Sequence, residues 1–535
     1  MSKISSHLSK LFFFVFFIKT IIWALLVPLW HFPDEQAHFG HVAFIAEGGD
    51  LKWHGQRPDL NEEIYISEEI LGTNRDYQGN NKFTFHPEYR LDYSGMINGL
   101  REQEIKELPL TTRKNFVFQE SAYYPHFFYQ ISSLIYKLFY LSNLFIRVFS
   151  LRLFWLSAYL LMIYLVFKTA QLIFPKDPLI NTTITLLTGF HPMLSFTSAG
   201  VTSDNLHNLL FTAAIYFGLK IITNFNQPKP QDFIGLTLVL GLGMINKQQF
   251  FVAIIMIIPS LLFVLLKNPK KVFRYFLFLP LALLIAYLLA PARIGNIFSL
   301  ITQGKIPYLE LKNPASQIRP DYRLFQHLMP TLRHTIREVL PWYWGVFNWL
   351  GVVLPRWVNR VLMRLLALAG LGLLVKLFKI IKSKKFTRQD LSLSFIAWAA
   401  VIYFAALMVW DWIFFKNNGY SFGLQGRYYF PVIATHMILL VVGVKQVFQF
   451  FGKKISHYSL LALSLWFIVL NFIALHTVAK SYYDLTSFKT FIIQASQYKP
   501  WFAKGMWFSS LLIIYFVVCF AFIFQLIKFF KNHEK

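Results

Sequence analysis

Asp34, Glu35, His38 and His41 lie in the stretch Phe32-Pro33-Asp34-Glu35-Gln36-Ala37-His38-Phe39-Gly40-His41, directly after an apolar run from Leu11 to Trp30. A carboxylate held there suits general-base chemistry, taking the proton of an attacking hydroxyl. A helix starting at Pro33, whose missing N–H is not needed at a first helical position, puts Asp34, His38 and His41 on one face. Its dipole favours ionised carboxylates in the first turn. Asp204, in Val201-Thr202-Ser203-Asp204-Asn205, is the second acidic candidate, to orient the hydroxyl or help position a metal. The plainer role for either carboxylate is a helix N-cap. Carboxylate and histidine at helical spacing also suit a divalent ion, which would help neutralise a phosphate leaving group. No two-histidine motif with a third ligand is fixed by the spacing, however.

Candidate cations stand at other span ends. Lys247 interrupts the turn Asn246-Lys247-Gln248-Gln249, and Arg427 sits in Gln425-Gly426-Arg427-Tyr428-Tyr429 just before an apolar run. Either suits a phosphate clamp, arginine by bidentate contact; the alternative is a snorkelling boundary residue. Arg147 and Arg152 are further candidates. Trp342, Trp344 and Trp349 suit an aromatic belt or a stacking surface for a sugar ring.

The elements that position these residues are membrane helices. Of 535 residues 56% are hydrophobic, 15% are charged, and the mean hydropathy is +0.46. Apolar runs near the length needed to cross a bilayer recur from end to end. Lys19 interrupts the first run and no small-x-small cleavage site precedes Pro33, so a retained span rather than a signal peptide is expected. The single cysteine, Cys519, excludes a disulfide framework and a thiolate zinc site.

The net charge of +26 does not point to nucleic acid, because the basic residues cluster in short segments between spans: 267–271, 376–388, 453–454 and 528–535. That is the positive-inside pattern. Residues 33–120 do the reverse, carrying 16 of the chain's 26 acidic residues against 9 basic ones. The reading is an all-α polytopic membrane protein of about twelve spans with both termini cytoplasmic. Residues 31–146 form a large external loop with interfacial helices, and residues 293–355 a second external stretch. Phe127 to Phe145 is placed in the interface, since a crossing there would put the Lys379–Arg388 cluster outside. Leu179 to Ala199 is expected as one span, and Tyr275 to Leu289 as another.

The order of these motifs resembles a group of bacterial membrane proteins. The Pro33-Asp34-Glu35 segment ending at His38, Tyr123-Tyr124-Pro125-His126, the Arg-led second span ending in Phe174-Pro175, and Val201 to Asn205 all carry the likeness. So do Tyr343-Trp344-Gly345-Val346-Phe347-Asn348-Trp349 and Gln425 to Tyr429. The group is that of predicted GT-C-type glycosyltransferases, similar to the protein O-mannosyltransferases and aminoarabinose transferases. The resemblance covers nearly the whole chain. It implies a GT-C-like bundle in the inner (plasma) membrane and a polyprenyl-phosphate-linked sugar as donor. A glycan or other hydroxyl would be the acceptor. Asp34 would be the catalytic base, with Glu35 beside it and Asp204 as second acidic residue. Lys247 and Arg427 would lie near the donor phosphate, and His38, Tyr124, Arg152, Trp344, Gln425 and Tyr428 would line the substrate site. Tyr124 departs from the group's pattern, where proline is common. A transporter or flippase of lipid-linked saccharides is the alternative, as is a polymerase or ligase of surface polysaccharide.

Overall fold

In the computed structural model, residues 3–49, 59–75, 81–117, 126–270 and 321–533 are described, with a few isolated positions between 271 and 320. The expected span from Tyr275 to Leu289 and most of the stretch 293–320 lie outside the described residues, as does Tyr124.

The chain is a predominantly helical, polytopic membrane protein. Helix α1 (Lys3–Leu26) leads into α2 (Glu35–Ala46); α3 (Glu62–Leu71), α4 (Lys82–Phe85), α5 (Asn98–Lys106) and α6 (Phe127–Leu138) follow in the first long loop. Then come α7 (Leu144–Ile173), α8 (Pro178–Gly189), α9 (Pro192–Ala199), α10 (Asp204–Thr223), α11 (Pro230–Asn246) and α12 (Phe251–Lys267). The later described part has α13 (Leu324–His334), α14 (Leu340–Trp344), α15 (Arg356–Ser383), α16 (Arg388–Asn418) and α17 (Ile433–Phe448). It closes with α18 (Lys453–Tyr482), α19 (Phe488–Ala495) and α20 (Gly505–Asn532). Seven of the described helical segments are individually long and apolar enough to cross a bilayer, and α12 and the apolar part of α1 are shorter.

Two differences from the sequence expectation have clear causes. The run Leu179 to Ala199 is not one span: it breaks at Phe190-His191 into α8 and α9. Pro192 has no N–H to continue the ladder and starts a new helix instead. Lys19, from the middle of α1, closes the break, donating to the Gly189 carbonyl, to Ser195 Oγ at 2.6 Å and to Tyr159 Oη at 2.8 Å. A donor at a helix C-terminus satisfies a carbonyl that the helix itself leaves free. The second difference is at Pro33, which lies outside α2; the helix begins at Glu35.

Helix α6 has 12 residues, short of the roughly 20 that a crossing needs. The loop before it is folded onto α7. Strands β1 (Leu60–Asn61) and β2 (Phe116–Val117) pair antiparallel, with Leu60 opposite Val117. Buried Glu63 of α3 accepts from Arg147, whose other nitrogen reaches Tyr136 Oη at 2.7 Å. Arg147 is therefore a strut between loop and bundle.

Side-chain contacts mark one end of the bundle as the basic one. There Lys445 meets Asp177 at 2.5 Å, Arg388 donates to Asn224 at 3.1 Å and Lys376 meets Asp390 at 3.1 Å. The other end collects the C-terminus of α1, the N-terminus of α10, the C-terminus of α11 and the start of the 3-10 turn 426–432 that precedes α17. Helices α15 and α17 cross closely at Gly372 and Gly443: a Cβ on Gly372 would lie 1.9 Å from the Gly443 carbonyl oxygen. Small residues permit such backbone approach in a membrane.

Candidate active site

Four of the candidate side chains meet at the end of the bundle opposite the basic loops. Asp34 is the residue before α2 and holds a left-handed backbone (φ 57°, ψ 18°) without capping the helix through its side chain. Its carboxylate instead accepts from Arg427 Nη2 at 2.8 Å and faces Arg75 Nη2 at 3.4 Å. Asp204 opens α10 and pairs through Oδ1 with Lys247, which follows the last residue of α11. The arrangement is two carboxylate–cation pairs. The carboxylates keep 29% and 19% of their side-chain surface exposed, so both remain within reach of a ligand.

His38 stands among all four. Its Nδ1 is 2.7 Å from Tyr129 Oη and its Nε2 is 3.3 Å from Thr202 Oγ1. Burial pushes its pKa down to about 4, against the pull of Asp34 and Asp204, while Lys247 and Arg427 push it further down. His38 is thus a neutral hydrogen-bonding group near pH 7. Asp34 is raised by burial, but Arg427 and Arg75 outweigh this and hold its carboxyl below the usual range. An ionised carboxylate in a part-buried pocket, flanked by cations, is a weaker base than a free one until a ligand draws those cations away. The paired cations are in turn placed to receive an anion.

Burial also lowers His31 and His41 to about 3. All three histidines are neutral in the folded protein yet protonate at an ordinary 6.5 when unfolded. The unfolded chain therefore binds more protons below that pH, and stability falls as the pH drops from 6.5 toward 4. Thermal unfolding midpoints are expected to decline between about pH 7 and about pH 5. His41→Phe is expected to flatten that decline.

The family model described as a predicted membrane protein (DUF2142) matches residues 16–436, which include Asp34, Asp204, Lys247 and Arg427. The chain belongs to the DUF2142 family. No curated protein matches this DUF2142 chain by sequence. Among solved structures, it is similar to ArnT from Cupriavidus metallidurans bound to undecaprenyl phosphate, with 14% identity over 95% of this chain and 76% of that one, at a TM-score of 0.37. It is also similar to the Archaeoglobus fulgidus oligosaccharyltransferase in its apo form, with 14% identity, 82% and 56% coverage, and a TM-score of 0.40. Likeness this distant carries no argument about chemistry.

Several candidates in the DUF2142 chain lie apart from the pocket. Glu35 is fully buried and holds Arg152 bidentately, with Arg152 Nε at 2.8 Å from Oε1; Oε1 also accepts from the Val201 N–H at 3.2 Å. Arg152 spends its remaining donors on the carbonyls of Ala24, Val27 and Pro28, each at 2.9 Å. The pair ties α1, α2, α7 and the α9–α10 turn together and offers no open group. Trp344 is buried, its ring against His191 at 5.0 Å, and faces the core rather than the pocket. Gln425 and Tyr428 flank Arg427, and the Tyr428 ring lies 5.4 Å from the guanidinium.

Arg75, Tyr129 and Thr202 also contact the pocket's residues. Only Thr202, two residues before Asp204, had a sequence signal. Among the described residues, no three His, Cys, Asp or Glu side chains converge in a way that could hold a metal ion.

Proposed function

We propose that this protein is an integral-membrane glycosyltransferase that moves a sugar from a polyprenyl-phosphate donor to an acceptor hydroxyl at the outer face of the membrane. The observation that carries this reading is the meeting of Asp34–Arg427 and Asp204–Lys247 around His38. The positive-inside bias puts the basic end of the bundle in the cytoplasm, and hence this pocket outside.

The acceptor oxygen attacks the anomeric carbon and forms the new C–O bond. Asp34 takes the proton of that hydroxyl. The bond between the anomeric carbon and the phosphate oxygen breaks, and its electron pair leaves with the polyprenyl phosphate. Arg427 and Lys247 stabilise the charge that develops there. Asp204 holds Lys247 in place, and His38 is a neutral hydrogen-bonding partner beside both carboxylates. Glu35 and Arg152 are struts. A single displacement of this kind inverts the anomeric centre.

The test is transfer from polyprenyl-phosphate sugars by protein in liposomes, read as a new glycosidic bond with release of polyprenyl phosphate. Arg427→Gln is expected to slow transfer by about 10²- to 10³-fold, and Arg427→Lys to recover part of it. Unchanged rates in both variants would remove Arg427 from the leaving-group role.

One observation favours a second reading. The broken pair α8–α9 with Lys19 at its break is a device that transporters use at the bilayer midplane. Lys19, however, already donates to three protein oxygens and needs no substrate. Movement of the donor lipid across the bilayer with no bond made would favour that reading.

A further inference from the structure

The hairpin after α14 carries an unusual tip. Strands β3 (Val346–Phe347) and β4 (Val352–Val353) pair antiparallel, with Phe347 opposite Val352. Between them Asn348, Trp349 and Leu350 all take left-handed backbone angles, with φ of 51°, 49° and 66°. Asparagine tolerates that region; tryptophan and leucine do not visit it without cost. Residues held in such strain cluster at ligand clamps. The tip is pinned from several sides. Asn348 is 5% exposed beside His31, which packs on Phe83 of the first loop at 4.4 Å, and the Gly351 N–H donates back to the Asn348 carbonyl at 2.9 Å.

The strain presents Trp349. The Arg75 guanidinium lies 5.7 Å from the centre of its ring, and the same guanidinium faces Asp34 Oδ1 at 3.4 Å. One guanidinium therefore separates the indole from the proposed base. The indole Nε1 is buried, with no hydrogen-bond partner among the described residues, although the ring itself is only half-buried. An indole N–H is a donor only, and buried donors are ordinarily paired. A tryptophan of an aromatic belt would have its N–H in water or among headgroups.

We propose that Trp349, with Arg75, forms the subsite for the sugar ring of the lipid-linked donor, the indole N–H donating to an oxygen on that ring. This rests on the transferase reading. A sugar ring suits the place because its C–H face packs on an aromatic ring while its hydroxyls accept and donate at the edge. The phosphate of the same donor belongs to Arg427 and Lys247, and the ring then lies between them and Trp349, beside Asp34.

The test is competition binding to full-length protein in detergent, with short-chain polyprenyl phosphate as one probe and its glucosyl, galactosyl and mannosyl derivatives as others. Wild-type protein is expected to prefer at least one sugar-bearing lipid over the bare one. Trp349→Phe, which keeps the ring and removes the N–H, is expected to lower that preference roughly five- to tenfold with affinity for bare lipid unchanged. Trp349→Ala is expected to abolish it. Trp357→Phe, at an exposed position of α15, is the matched control and keeps it. A preference that survives in both Trp349 variants overturns the subsite and leaves the transferase reading standing. Equal binding of all four lipids by the wild type also overturns the subsite, and the transferase reading is overturned separately, by absence of any transfer in the liposome assay.

Discussion

Asp34→Asn is expected to lower sugar transfer by about 10²- to 10⁴-fold, the range that a positioned general base supplies. The variant is a clean test for a reason of backbone geometry. Position 34 is left-handed at φ 57°, a conformation that asparagine and aspartate tolerate and most residues with a Cβ do not. Asparagine therefore keeps the chain path, and its amide still offers an oxygen to Arg427. What it loses is the capacity to take a proton. Turnover under saturating donor, measured with thermal unfolding of the same sample, separates chemistry from folding. Equal transfer by wild type and Asp34→Asn would remove Asp34 from the mechanism.

Arg152→Met is expected to cause the largest loss of stability, about 3–5 kcal/mol, the range for removing one partner of a buried ion pair. The substitution strands the Glu35 carboxylate, which is 0% exposed, and frees the carbonyls of Ala24, Val27 and Pro28. Methionine fills similar space, so packing is not the main term. Adding Glu35→Leu to Arg152→Met is expected to recover part of the loss, because the double variant leaves no unpaired charge. Unfolding in detergent of the two single variants and the double measures the coupling. A double variant no more stable than Arg152→Met alone would mean that the freed carbonyls, and not the charge, carry the loss.

Much of the pocket was legible because its members are costly where they stand. Asp34, Asp204, Lys247 and Arg427 interrupt apolar sequence at span ends, and alternating span direction is enough to bring them to one end. Their pairing was less legible: Arg427 meets Asp34 across 393 positions, a contact that no local spacing encodes. Glu35 looked equivalent to Asp34 in sequence, but Asp34 precedes α2 with a left-handed backbone while Glu35 is the helix's first residue, and one lies in the pocket while the other lies in the core. Arg152 reads as a candidate clamp until the three carbonyls at the end of α1 are seen. Arg75 was hidden in a long polar loop whose return to Asp34 depends on folding, including the bridge from Arg75 to Asn81. The break at Phe190-His191 was masked because no charged residue interrupts 179–199, and Gly189, His191 and Pro192 were its local marks.

The last turn of α1 depends on residues made much later. Beyond the three carbonyls that Arg152 holds, Lys499 donates to those of Leu25 and Leu26, and Tyr483 Oη donates to Leu26 at 2.9 Å. Lys499 lies between α19 and α20, beyond the 16–436 region that the family shares. A chain synthesised only as far as α18 therefore lacks the Lys499 donor to the Leu25 and Leu26 carbonyls. The setting of Asp34, eight residues past Leu26, is thus completed only once Lys499 has been made. A nascent chain halted before α19 carries every residue of the pocket and still lacks the Lys499 lock on the end of α1 that precedes its first carboxylate.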